Sequence, residues 1–234
     1  MTISLSNAGK RFNREWIFRY CTYDFEAGQS YAIIGPNGSG KSTLLQVLSG
    51  SMMINEGSIR FFDSNWSRKA AGTPDDRPPA AVRQPMTVTY QPSLIPAEAA
   101  YKHISFCAPY LEVVEEMTLA EFLDFHRSFK PFLPGLTTDF ISTEVGLEKA
   151  LHKQIRYYSS GMKQRVKLAQ CIFSDTPVVL LDEPCTNLDA AGIELYHRLI
   201  QEYCSNRLII VSSNDEVEYR FCKERIDLLG WKEG

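Results

Sequence analysis

The sequence has no apolar run near the roughly 20 residues that a membrane-spanning helix needs, and no dense block of Lys and Arg. Its formal net charge of −3 offers no overall attraction to a polyanion, so nucleic-acid binding is disfavoured. The N-terminal stretch MTISLSNAGKRF lacks the apolar core of a secretory signal, which leads us to expect a cytoplasmic protein. Paired metal-ligand spacing is missing as well. Cys21, Cys107, Cys171, Cys185, Cys204 and Cys222 are dispersed, most among apolar neighbours, and read as buried free thiols. No internal repeat is visible. What the 234 residues do have is 44% hydrophobic content, enough for one substantial core with a satellite portion.

The most informative stretch is GPNGSGKST, comprising Gly35, Pro36, Asn37, Gly38, Ser39, Gly40, Lys41, Ser42 and Thr43. Before it lies the apolar run Tyr31 to Ile34, a buried strand by pattern, and after it Leu44 to Leu48 continues as a helix. Strand, glycine-rich loop and helix are the context in which such a loop holds phosphate. Gly35, Gly38 and Gly40 let the backbone curl so that consecutive amides converge, and the helix N-terminus adds its positive dipole end. Lys41 is placed to reach the β- and γ-phosphates of a nucleotide. The Ser42 hydroxyl is placed to ligate Mg²⁺, and Thr43 adds a hydroxyl toward the phosphates.

Strand patterns recur at Ile3 to Ser6, Ile17 to Phe25 and Ser58 to Phe62, giving an α/β core with an antiparallel N-terminal portion. From about 64 to 102 the pattern weakens and prolines accumulate, which reads as a loop-rich insertion; Met86 to Tyr90 alternates and could add an edge hairpin. After a strand at His103 to Cys107, helical spacing appears at Thr118 to Lys130, Thr138 to Val145 and Gly161 to Ser174. The core resumes with Val178 to Leu181, a helix at Ala190 to Tyr203, the strand Leu208 to Val211, and a final helix and strand. We therefore expect one domain, 1–234, with core residues at about 1–107 and 176–234 and an inserted helical subdomain at about 108–175.

Four buried β residues, Val178 to Leu181, deliver Asp182 and Glu183 to the carboxyl end of a strand, the edge at which parallel sheets bind ligands. Asp182 is placed to hold Mg²⁺ directly or through water, and Glu183 to polarise a water for attack on the γ-phosphate.

About two dozen residues earlier, Tyr158-Ser159-Ser160-Gly161-Met162-Lys163-Gln164-Arg165 opens a helix, and Thr186-Asn187-Leu188-Asp189 follows the acidic pair. Phosphate loop, serine-glycine helix start, Asp-Glu strand and Asn-Leu-Asp occur in the order and spacing of the ATP-binding cassette (ABC) ATPases. The chain resembles the nucleotide-binding subunit of an ABC transporter over nearly all its length except about 64–102. The resemblance implies a P-loop NTPase fold, ATP and Mg²⁺ as cofactors, and hydrolysis of ATP coupled to transport. It implies that Ser159, Ser160 and Gly161 form the signature helix start that caps the γ-phosphate of ATP held by an opposite subunit. Asp189 matches the acidic residue that couples the two sites, and Phe12 the aromatic that stacks on adenine, with Trp16 a second stacking candidate. Its implied partners are a second nucleotide-binding subunit, as homo- or heterodimer, and separate transmembrane permease subunits that hold the chain peripherally on the inner membrane face. Their docking cleft is expected near 108–125, where Tyr110, Leu111, Val113 and Val114 cluster.

In the signature, Ser160 replaces the family's first glycine and Met162 its usual glutamine, while the Ser-x-Gly frame survives; two further positions depart from the family pattern. The switch histidine falls on Ser213, with Asn214 beside it, and neither carries an imidazole. The glutamine that contacts Mg²⁺ falls on Pro109, where Glu112 or Tyr110 are possible substitutes; Gln91 is the alternative register. Loss of one γ-phosphate donor typically lowers turnover by ~10²-fold. Either Asn214 or a partner group compensates, or the chain contributes a degenerate site beside a fully equipped mate. Two other classes remain: a soluble ABC-type ATPase without a membrane partner, and a P-loop kinase, which would leave the signature unexplained.

Overall fold

The computed structural model describes residues 1–63 and 93–232. The expected hairpin at Met86 to Tyr90, and Gln91, lie outside these residues. The chain begins with a long antiparallel hairpin, β1 (Thr2–Phe12) and β2 (Glu15–Phe25), and continues through β3 (Ser30–Ile34), α1 (Lys41–Leu48) and β4 (Glu56–Phe62). β1 runs past the expected end at Ser6 because Asn7, at φ 49, absorbs a register shift and lets pairing with β2 resume at Ala8. The end of the presumed loop-rich insertion is ordered too. Leu94–Ile95 forms β5 against β4, and Ala97–His103 forms a 3₁₀ helix whose Ala100 is fully buried. Two prolines in the sequence, at 92 and 96, hide that pattern from a reading of the sequence.

β6 (Ile104–Cys107) leads into the helices α2 (Leu119–Phe129), α3 (Thr138–Glu144) and α4 (Ser160–Ile172). Each start has a polar cap: Thr118 with Glu121 in a reciprocal capping box, Thr137, and Ser159. The core then continues with β7 (Val178–Asp182), α5 (Ala190–Tyr203), β8 (Leu208–Ser212), the short α6 (Glu216–Tyr219) and β9 (Glu224–Asp227).

Two sheets result. β2-β1-β4-β5 is antiparallel, and β6-β7-β8-β3-β9 is parallel. All five residues of β7 and of β8 are buried, as expected of strands covered on both faces. Period-two alternation sends Val178, Leu180, Leu208 and Ile210 into a core shared with Leu44, Leu48 and the antiparallel sheet. Val179, Leu181, Ile209 and Val211 enter a second core with Leu123, Ile141, Ile172 and Tyr196 of the helices. The parallel sheet is thus the common wall between two cores.

A buried cation ties the second core to this wall. The Arg207 guanidinium donates to the carbonyls of Ile172, Ser174 and Thr176 at 2.5, 2.8 and 2.6 Å. Those carbonyls lie where α4 ends and no further helical donor is available.

Candidate functional site

The parallel register decides which loops meet. Ile33 of β3 pairs with Ser212 of β8, and Ser212 pairs with Asp182 of β7, so the segments after three neighbouring strands emerge at one edge. These are the loop from Gly35, the turn at Glu183, and the loop carrying Ser213 and Asn214.

Within the first loop Gly35, Gly38 and Gly40 all take positive φ, at 147, 76 and 106°. Gly40 is doubly constrained. A Cβ there would fall 2.1 Å from Ile17 Cγ2 of the hairpin, so only glycine lets the loop pass under β2. Lys41 is buried at 6% exposure, and its ammonium donates to the carbonyls of Gly35 and Pro36 at 2.7 and 3.2 Å. Burial lowers its pKa, while the nearby charges of Glu183 and Asp182 oppose that shift. The Ser39 hydroxyl is buried without a protein partner. A polar cradle with an unanswered hydroxyl, a lysine and adjoining carboxylates fits a polyphosphate with a divalent cation.

No cluster of three or more His, Cys, Asp and Glu side chains suited to a metal exists among the described residues. Asp182, 2% exposed, accepts a hydrogen bond from the Ser212 hydroxyl at 2.7 Å. Tyr110 approaches from the other side. Its hydroxyl accepts from Gln46 Nε2 at 3.1 Å, and its pKa is raised by burial, with Asp182 contributing through charge and hydrogen bonding. Gln46 stands four residues beyond Ser42 on α1, hence on the same helix face. Pro109 lies apart, its carbonyl held by Lys167 Nζ at 2.6 Å. Of the two possible substitutes for the missing glutamine, Tyr110 reaches the acidic site, while Glu112 lines a groove.

Glu183 is exposed and adopts φ 42, a left-handed conformation that costs an ordinary side chain about 1–2 kcal/mol. Its amide donates to Ser212 O at 2.9 Å, and Gln164 Nε2 donates to the next carbonyl, Pro184 O, at 2.7 Å. On the neighbouring loop the two candidates for the histidine position part company. Ser213 is 2% exposed, and its hydroxyl accepts from the Asp215 amide at 2.9 Å. Asn214 is exposed, and its amide donates to Asn37 of the phosphate loop.

The signature start is elsewhere on the surface. Ser159 is exposed and caps its own helix by accepting from Met162 N at 3.2 Å. Gly161 permits a close approach, since a Cβ would meet the Asn187 carbonyl at 2.9 Å. Ser160, Lys163 and Asn187 line a groove of about 420 Å³ with Pro109, Glu112 and Val113. Asp189 caps α5 through the Gly192 amide at 2.8 Å, with Arg165 3.7 Å away. The apolar cluster expected near 108–125 divides: Val113 is buried, while Tyr110 and Val114 are exposed.

Both aromatic candidates lie on the β1–β2 hairpin. Phe12 is 47% exposed, with Lys10 Nζ 5.2 Å from its ring centre. Trp16 is engaged by Arg11 and Arg19, whose guanidinium carbons lie 5.3 and 4.4 Å from its ring. Phe12 therefore keeps the more open face.

Sequence reading passed over Gln46, Ser212 and the role of Gln164. Their only signals were the spacing of Gln46 from Ser42 and the place of Ser212 at the end of a buried strand.

Comparison with known proteins gives a consistent picture. The family model described as ABC transporter matches residues 18–186. An uncharacterized ABC transporter ATP-binding protein of Bacillus subtilis, YhcH, is 27% identical over 97% of this chain; the match spans 66% of that relative, just under two thirds of its length. The cytochrome c biogenesis ATP-binding export protein CcmA of Rhodopseudomonas palustris is 31% identical over 81% of this chain and 80% of its own. Among solved structures, the dimeric bacterial ABC transporter cassette MJ0796 superposes with a TM-score of 0.72 at 18% identity, covering 97% of this chain and 94% of that one. That likeness is one of fold.

Proposed function

The chain belongs to the ABC transporter family, and from that premise we propose that it is the ATP-binding, ATP-hydrolysing subunit of a transporter whose membrane-spanning part is a separate chain. The observation that carries this reading is the meeting of Lys41, Asp182, Glu183 and Asn214 at the carboxyl edge of three adjacent parallel strands. Loop amides from Gly35 to Thr43 and the Lys41 ammonium take the phosphates of ATP. The Ser42 hydroxyl and Asp182 hold Mg²⁺, which when bound neutralises phosphate charge. Glu183, exposed and fixed by its turn, accepts the proton of the attacking water. Asn214 supplies the amide donor on the γ-phosphate side, while Ser213 faces inward; Phe12 stacks on the adenine.

Ser159, Ser160 and Gly161 open onto a surface of their own, which suits them to a nucleotide carried by a second subunit. A dimer, of like or unlike chains, then sandwiches ATP, and Asp189 links its two sites. No helix among the described residues is long and apolar enough to cross a membrane. In this reading residues of about 108–175 act as a helical subdomain. Residues near 108–125, where Glu112 and Val114 are exposed, receive the permease and hold the chain at the cytoplasmic membrane face.

The test is steady-state Mg-ATPase activity of the purified chain and of Glu183→Gln, with size-exclusion chromatography in ATP. Turnover that depends on Glu183, with an ATP-stabilised dimer in the variant, supports a self-sufficient homodimer in which Asn214 serves. ATP binding without turnover or dimerisation favours a heteromeric mate or a required permease. Absence of ATP binding refutes the proposal.

A further inference from the structure

Glu218 is a buried acid, 5% exposed, to which the chemistry above gives no part. One of its oxygens accepts from the Cys185 amide at 2.7 Å, and the other is buried without a partner. Its own amide donates to the Asp215 carbonyl at 3.0 Å, one residue past Asn214. Its backbone is fixed from behind, where the Tyr196 hydroxyl of α5 donates to the Glu218 carbonyl at 2.9 Å. A half-answered buried carboxylate is costly, and an apolar side chain of similar volume is normally tolerated at least as well in such a place. What that apolar side chain would not do is bind a backbone amide in the turn that follows Glu183.

That turn is conformationally demanding. Glu183 sits at φ 42 and Asn187 at φ 65, and the path between them must be imposed from outside. Ser212 fixes its first amide and Gln164 fixes the Pro184 carbonyl. Glu218 fixes the Cys185 amide through its carboxylate and, through its own amide on the Asp215 carbonyl, joins this turn to the loop that carries Asn214.

We propose that Glu218 is a positioning residue for hydrolysis: its carboxylate clamps the turn behind Glu183 to the loop bearing Asn214, fixing the two polar groups that face the terminal phosphate. This inference rests on the assignment of Glu183 as general base. It predicts a separation of kcat from binding. Glu218→Leu should lower kcat at least about tenfold, while the KM for Mg-ATP, the affinity for a fluorescent ATP analogue and the melting temperature stay near wild-type values. Glu218→Gln, whose amide oxygen can still accept from Cys185, should recover most of the lost kcat. Should the leucine variant fail to fold, Glu218→Asp, one methylene short of the Cys185 amide, provides the same comparison. Unchanged kcat in Glu218→Leu, or parallel loss of kcat, nucleotide affinity and melting temperature, overturns the proposal. Turnover in the wild-type protein that Glu183→Gln leaves unchanged refutes the reading beneath it, and this inference falls with it.

Discussion

Gly40→Ala should damage both the fold and nucleotide binding, for two reasons that can be separated. The first is conformational: Gly40 sits at φ 106 and ψ 12, where a side chain costs about 1–3 kcal/mol. The second is steric: the new Cβ would lie 2.1 Å from Ile17 Cγ2, well inside any contact a real Cβ makes. Relief of that overlap requires β2 or the loop to move, at a further cost of about 1–3 kcal/mol. A total of about 2–6 kcal/mol corresponds to a fall in melting temperature of roughly 5–20 °C for a chain of this size. Movement of the loop also displaces the amide of Lys41, so ATP affinity should fall at least about tenfold, equivalent to about 1.4 kcal/mol. Thermal melts and titration with a fluorescent ATP analogue measure the two effects. Ile17→Ala separates them, because it removes the steric partner and leaves the backbone term. In the double variant the two changes should couple favourably by about 1 kcal/mol or more. A Gly40→Ala protein with wild-type melting and affinity refutes the reasoning, and so does a double variant whose losses simply add.

Tyr110→Phe keeps the ring against Phe106 and removes the hydroxyl that bonds Gln46 and faces Asp182. Metal-free ATP affinity should hold within about twofold while the Mg²⁺ concentration giving half-maximal ATP binding rises by roughly tenfold, a loss of about 1.4 kcal/mol; an unchanged Mg²⁺ midpoint contradicts this role. Burial raises the Glu218 pKa above its ordinary 4.5, so the folded chain holds this proton more tightly than the unfolded chain. The stability this lends is complete below 4.5 and is lost as pH climbs through the raised value. The melting temperature of Glu218→Gln relative to wild type should therefore increase from pH 4.5 upward; a pH-independent difference excludes the linkage. Arg207→Ala leaves the Ile172 and Thr176 carbonyls without donors and Ser174 O with the Thr176 amide alone, and should cost about 3 kcal/mol or more, read as a shift in the urea midpoint. A loss under about 1 kcal/mol would show that water replaces the guanidinium.

Local chemistry was legible wherever a function is carried by consecutive residues. The phosphate loop, the acidic pair after β7 and the signature start each declared themselves by composition and flanking pattern, because glycine freedom, strand burial and helix capping act over a few residues. The unbroken apolar run Val178 to Leu181 likewise implied a strand buried on both faces, though not which core each side chain enters. The insertion was read less well at its end, since two residues of strand give too short a period to detect beside prolines.

The sequence by itself thus determined the fold class and the residues we propose to meet phosphate, since those follow from local backbone and side-chain properties. Only the tertiary structure decided which neighbours they serve. Counting along β8 put Ser213 at the switch position, but the loop turns that hydroxyl inward and presents Asn214 to Asn37. Counting along β6 put Pro109 at the glutamine position, but the hydroxyl of Tyr110 reaches between α1 and Asp182. Tyr110 and Gln46 are 64 residues apart, and Cys185 and Glu218 are 33 apart. Contacts of that separation depend on strand order and on the directions in which loops leave the sheet, which no local pattern encodes.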